Sequence, residues 1–117
     1  MNRIKCFFII ILVLASNTAT ASTWEAGAIA GNCSTQQGSP GWDFCVGYLN
    51  ATIDSIELKI HSGGLPINHM CLGPDIPHER IVDTYLNYFS KRANTLEYRP
   101  AIQVIKQAMK WGFPCKR

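Results

Sequence analysis

The sequence predicts an all-α domain, a small disulfide-bonded bundle of about four helices following a cleaved export signal. Three observations carry this. Apolar residues recur at helical spacing in several separate segments. No segment shows the sustained apolar–polar alternation of a strand, and none carries a hairpin turn signal. Four of the five cysteines lie after the leader, an even set that suits two bridges in an exported domain.

The leader comes first. Arg3 and Lys5 form a positive n-region, Phe7 to Ala15 an apolar h-region, and Thr18-Ala19-Thr20-Ala21 a small-residue cleavage site. The apolar run is too short to span a membrane, so no membrane association is expected once it is removed. Cys6 precedes the h-region and is not placed for lipidation. Cleavage after Ala21 divides the chain into a signal peptide (1–21) and one helical domain (22–117). Removing Arg3 and Lys5 takes the formal net charge from +3 to +1, and no basic patch remains to suggest nucleic acid.

Ser22-Thr23-Trp24-Glu25 has the form of a capping box, opening a short helix to about Asn32 that packs through Trp24, Ala28 and Ile29. Gly27 and Gly31 weaken it. Cys33 to Gly41 is a polar loop. The central helix follows over 42–61, with Ser39-Pro40 as its start and Ser62-Gly63-Gly64 as its stop. Cys45, Leu49, Ile53, Ile56 and Ile60 form its inner stripe, widened by Val46; Asn50, Asp54, Glu57 and His61 form a solvated face. Gly47 and Ala51 leave a shallow spot where another backbone can approach.

Gly63 to Asp75 is the longest irregular connection, tethered at its far end by Cys71. Its apolar residues Leu65, Ile67 and Met70 either pack down on the domain or project toward a partner. A third helix starts at Asp75 or Ile76, with Pro77 in its first turn, and runs to about Arg92. Val82, Tyr85, Leu86 and Phe89 make its stripe; Ile81 and Tyr88 broaden it, implying a central position or a surface buried in a dimer. Asn94 to Arg99 reads as a turn. Pro100 opens a fourth helix, with Ala101, Ile102, Ile105, Ala108 and Met109 facing inward and Gly112 and Pro114 ending it. Antiparallel neighbours bring the end of the first helix to the start of the second, and the start of the third to the end of the fourth. That order favours the pairs Cys33–Cys45 and Cys71–Cys115.

A search for chemistry finds no catalytic set. The mature cysteines are better used as bridges than as thiolates, and the serines lie in no nucleophile-elbow motif. Asp54 and Glu57, like Glu79 and Asp83, read as surface charge. His61, His69 and His78 do not repeat at ligand spacing and no C-x-x-C pair occurs, so neither metal nor cofactor is expected. The Asn32-Cys33-Ser34 and Asn50-Ala51-Thr52 glycosylation patterns are chance matches in a bacterial export pathway.

A family resemblance rests on Phe44-Cys45-Val46-Gly47-Tyr48-Leu49 opening a helix that continues through Asp54-Ser55-Ile56. Cys71-Leu72-Gly73-Pro74, Ile81-Val82-Asp83-Thr84-Tyr85-Leu86 and a terminal Trp111-Gly112-Phe113-Pro114-Cys115 then follow in order. This resembles the Rap/Tai family of type VI secretion amidase immunity proteins, over nearly the whole mature chain. The resemblance implies a periplasmic, non-enzymatic protein, commonly a homodimer, that occludes the groove of an injected peptidoglycan amidase. On that mechanism the Gly63–Met70 loop is the expected projection. Leu65, Asn68 and His69 would be its effector contacts, with Glu57 and His61 as a polar rim. Tyr85, Tyr88 and Phe89 are the expected dimer residues. The alternative is a small periplasmic chaperone, or an accessory subunit of an envelope complex. An acid-stress chaperone would expose apolar surface on acidification through its histidines and carboxylates.

Overall fold

The computed structural model describes residues 23–61 and 70–115, with the side chains of 58–61 left out. Among the described residues there are five helices: α1 (Ala26–Cys33), α2 (Pro40–His61), α3 (His78–Ser90), α4 (Ala93–Leu96) and α5 (Ala101–Gly112). No strand occurs among the described residues; Glu25 and Pro100 form an isolated antiparallel bridge. α1 packs chiefly on α2 and α3 on α5, and α1 also meets α3 and α5. Their inward faces make one core centred on Ile29, Leu49, Val82, Tyr85, Val104, Ile105 and Met109.

α1 begins four residues after Ser22, and Glu25 is its N-cap with extended backbone and no side-chain cap bond. The expected capping box therefore does not describe this start. Tertiary backbone bonds do the work instead: the Ala26 N–H donates to the Arg99 carbonyl at 2.8 Å and the Gly27 N–H to the Glu97 carbonyl at 2.9 Å. Two donors that a helix start leaves free are thus satisfied by the turn before α5. Gly27 is required by this approach, because a Cβ there would lie 2.8 Å from Glu97 Cγ and 3.0 Å from the Glu97 carbonyl oxygen. Trp24 and Ala28 do not pack inward as expected. Trp24 is 49% exposed and Ala28 is exposed, leaving Ala26, Ile29, Ala30 and Cys33 as the buried stripe.

Ser39 caps α2 by accepting from the Trp42 N–H at 3.3 Å through Oγ and from the Asp43 N–H at 3.0 Å through its carbonyl. Cys45, Leu49, Ile53 and Ile56 of the expected inner stripe are all buried, and the side chain of its fifth member, Ile60, lies outside the described residues. Thr52 joins them, its hydroxyl donating to the Tyr48 carbonyl at 2.9 Å.

α3 starts later than expected. Pro77 is its N-cap, not a first-turn residue, with ψ of 148°. A residue before proline disfavours helical backbone, which holds Ile76 outside the helix. α3 also stops earlier, at Ser90. Arg92 breaks the path at φ −134°, and its guanidinium folds back 4.1 Å over the Tyr88 ring and donates to the Tyr88 carbonyl at 3.2 Å. The stretch expected as a turn instead forms the single-turn α4, too short to carry a period.

On α5 the buried residues are Ala101, Val104, Ile105, Ala108 and Met109. Ile102 is 48% exposed rather than inward, because the arc centred on Ala101, Val104 and Ala108 leaves it at the rim.

Two disulfides staple the bundle: Cys33–Cys45 joins α1 to α2, and Cys71–Cys115 joins the connection before α3 to the segment after α5. Both pairs are those that the helix order favours. No helix among the described residues is long and apolar enough to cross a membrane.

Candidate functional site

The second half of α2 and the returning connection enclose an open cleft of about 300 Å³. Asn50, Ile53, Asp54 and Glu57 form the α2 wall; Leu72, Gly73, Pro74, Ile76, His78 and Ile81 form the other. Asn50 and His78 meet across it, Asn50 Nδ2 lying 3.2 Å from His78 Nδ1. The cleft stands because the connection is fixed at both ends. The Cys71 N–H donates to the Phe113 carbonyl at 2.8 Å beside the disulfide, and Met70, Leu72 and Ile76 pack against the core. Arg80 covers the outer side of Phe113, its guanidinium 5.4 Å from the ring centroid.

Of the residues expected to meet an effector, Glu57 is half-buried on this cleft wall. His61 is the last residue of α2. Its side chain, and all of Leu65, Asn68 and His69, lie outside the described residues. Leu72, Pro74 and His78 were not singled out by spacing as cleft residues. In the sequence only Cys71, as a tether, signals that their segment is held to the domain.

Tyr85 does not sit on a surface. It is fully buried, with its hydroxyl donating to the Ala26 carbonyl at 2.8 Å, so it has no face left for a second copy. Burial, with the Tyr48 charge adding to it, pushes the Tyr85 phenol well above the usual tyrosine range. Tyr88 and Phe89 are half-buried by packing within the chain: Phe89 stacks on Tyr85 at 6.2 Å, and Tyr88 lies 5.8 Å from Trp111.

The exposed aromatic surface lies elsewhere. Trp24 packs on Phe44 at 5.2 Å, and Phe44 on Tyr48 at 6.0 Å. Phe44, Tyr48, Ala51 and Ser55 step along α2 by four, three and four, a second stripe on its outer side. Beside it, Tyr48, Ala51, Thr52, Ser55, Ile56, Ile102 and Lys106 line a groove of about 260 Å³. Nothing lies within 4 Å of a Cβ built on Gly47. The sequence does not reveal this outer stripe by spacing, because its two aromatics are followed by Ala51 and Ser55 and carry no sustained apolar period.

Among the described residues no group of three or more His, Cys, Asp or Glu side chains is placed to hold a metal ion. What the arrangement offers is a cross-linked scaffold with a cleft of mixed polar and apolar lining and, elsewhere, an aromatic face.

A family model described as Rap1a immunity proteins matches residues 25–115, which takes in all five helices and both disulfides. No curated protein and no solved structure matches the chain.

Proposed function

The chain belongs to the Rap1a immunity protein family, and we propose that the secreted effector it neutralises is a type VI peptidoglycan amidase, met in the periplasm. The observation that carries this reading is that the family match spans every described helix. On this reading the protein has no catalytic task. It closes the amidase groove against cell-wall substrate and so protects the cell that produces it.

Glu57 and His61 at the end of α2, with Leu65, Asn68 and His69 in the loop that follows, form the effector-binding surface. Its anchoring supports this assignment. A loop whose base is cross-linked gives up less conformational freedom on binding, and more of its contact energy is left as affinity. Titrating the oxidised protein into a candidate amidase acting on purified cell wall is the test. Cleavage is expected to fall to zero at one equivalent, and Leu65→Ala with His69→Ala to weaken inhibition at least about tenfold with the helical signal unchanged. Full inhibition by that double variant removes the loop from the mechanism.

A homodimer belongs to the same reading, with its surface moved from Tyr85, Tyr88 and Phe89 to the outer face of α2. A twofold axis through Tyr48 relates α2 positions equally far on either side of it. Phe44 lies four residues before Tyr48, about 6 Å along the helix, and the groove centred on Thr52 lies about 6 Å beyond it. The ring of one copy thereby meets the groove of the other, the self-complementarity that a twofold interface needs. Light scattering is expected to give twice the chain mass for the native protein and the single mass for Phe44→Asp. A native monomer at high micromolar concentration counts against it.

A further inference from the structure

The two disulfides live in different surroundings. Cys33 and Cys45 are 2% and 0% exposed, sealed between α1 and α2 within the core. Cys71 is exposed and Cys115 half-buried. A thiolate must reach a sulfur atom to break a disulfide, so access decides which bond a reductant attacks. Cys33–Cys45 becomes reachable only if α1 parts from α2, whereas Cys71 is a surface residue of the native fold.

We propose that Cys71–Cys115 is a redox-sensitive strap, opened by an exported dithiol reductant while Cys33–Cys45 stays oxidised. One reductant thiolate attacks a strap sulfur, forming a mixed disulfide and releasing the other protein sulfur as a thiolate that takes up a proton. The second reductant thiol then displaces the remaining protein sulfur and closes the reductant's own disulfide. Two electrons pass from the dithiol to the strap, and two protein thiols result.

The strap holds little of the helix core and most of the cleft. Apart from Phe113, the buried core comes from α1 to α5, already joined by Cys33–Cys45 and by packing between helices. The segment from Met70 to Pro77 has no helix of its own. Its position depends on the strap, the Cys71–Phe113 backbone bond and the partly buried Met70, Leu72 and Ile76. Opening the strap therefore frees the wall of the cleft that carries Leu72 and Pro74 and leaves the bundle standing. That freeing this wall weakens effector binding rests on the reading given above; the opening itself does not.

The test uses the oxidised exported protein with dithiothreitol at neutral pH, alkylation of new thiols and peptide mapping over time. Cys71 and Cys115 are expected to be labelled at least about tenfold faster than Cys33 and Cys45, with the far-ultraviolet helical signal retained. In the singly reduced protein the Cys71 amide, bonded to the Phe113 carbonyl in the native fold, is expected to exchange hydrogen at least about tenfold faster, while Val82 and Tyr85 keep their protection. Equal labelling of the two pairs, earlier labelling of Cys33 and Cys45, or loss of helix with the first label each overturns the proposal. So does a Cys71→Ser/Cys115→Ser variant that fails to fold with Cys33–Cys45 intact. All of these readouts are taken without effector, so their failure is separate from a failure of the amidase reading.

Discussion

Replacing Tyr85 with phenylalanine removes one oxygen and leaves the ring in place. That oxygen donates a 2.8 Å hydrogen bond to the Ala26 carbonyl at the start of α1, within a fully buried site. A buried hydrogen bond of this kind contributes about 1 kcal/mol net. For a domain of this size that corresponds to a melting temperature about 5 °C lower at pH 7. Tyr85→Ala also loses the ring that stacks on Phe89 and opens a cavity, which costs about 3–5 kcal/mol or about 15–25 °C. The pH dependence gives the sharper test. Burial and the Tyr48 charge hold the folded-state pKa of Tyr85 above its usual value. An unfolded tyrosine ionises near pH ~10, so the stability from a protonated Tyr85 is whole below about pH 10 and drains away as pH rises toward the folded value. At pH 11 the wild type loses about 1.4 kcal/mol through this residue, and Tyr85→Phe loses none of it. Circular dichroism melts at pH 7 and pH 11 should therefore show a gap of about 5 °C that closes at the higher pH. A gap that stays constant or widens, or a Tyr85→Phe variant as stable as wild type at pH 7, refutes the placement of this hydroxyl.

Two glycines one turn apart in α1 should respond with opposite sign. Gly27→Ala drives a methyl into the Glu97 backbone and should destabilise by about 1–3 kcal/mol; Gly31→Ala meets nothing within 4 Å and should stabilise by about 0.5–1 kcal/mol, both read by chemical denaturation. Replacing Cys33 and Cys45 together with serine removes a link across a sequence separation of 12 residues and should lower unfolding free energy by about 3 kcal/mol on loop-closure grounds, with a further loss from polar atoms placed in the core. Gly112→Ala would set its Cβ against the Thr84 methyl group and should lower the melting temperature by about 5 °C or more, unless paired with Thr84→Ser, which relieves the clash.

Much of the fold was legible because local and tertiary preferences agree. The inner stripe of α2 from Cys45 to Ile56 keeps helical spacing over about three turns, and α1 and α3 pack against that helix. The disulfide pairs followed from helix order alone. What escaped the sequence was governed by contacts between distant segments. The start of α1 is fixed by the carbonyls of Glu97 and Arg99, some seventy residues away, so a local capping signal pointed to the wrong place. Tyr85 and Tyr88 fall on one broad apolar face of α3, and spacing could not tell which ring enters the core and which stays at its edge. The aromatic face joins Trp24, before α1, to Phe44 and Tyr48 of α2, and Ile102 of α5 lines the groove beside Tyr48, so no single stretch of sequence carries the whole surface. The cleft was half legible: Glu57 was named from its helix position, while His78 and Leu72 required the fold that Cys71–Cys115 holds.

The most direct test of the immunity account is survival of cells that export a peptidoglycan amidase effector to their own periplasm while producing this protein. The account predicts lysis when the effector is exported alone, growth when the full chain with residues 1–21 is co-produced, and lysis again when the chain lacks that leader and stays inside the cell. Lysis in the presence of the correctly exported, oxidised protein, across the range of amidase effectors encoded beside such immunity proteins, would contradict it.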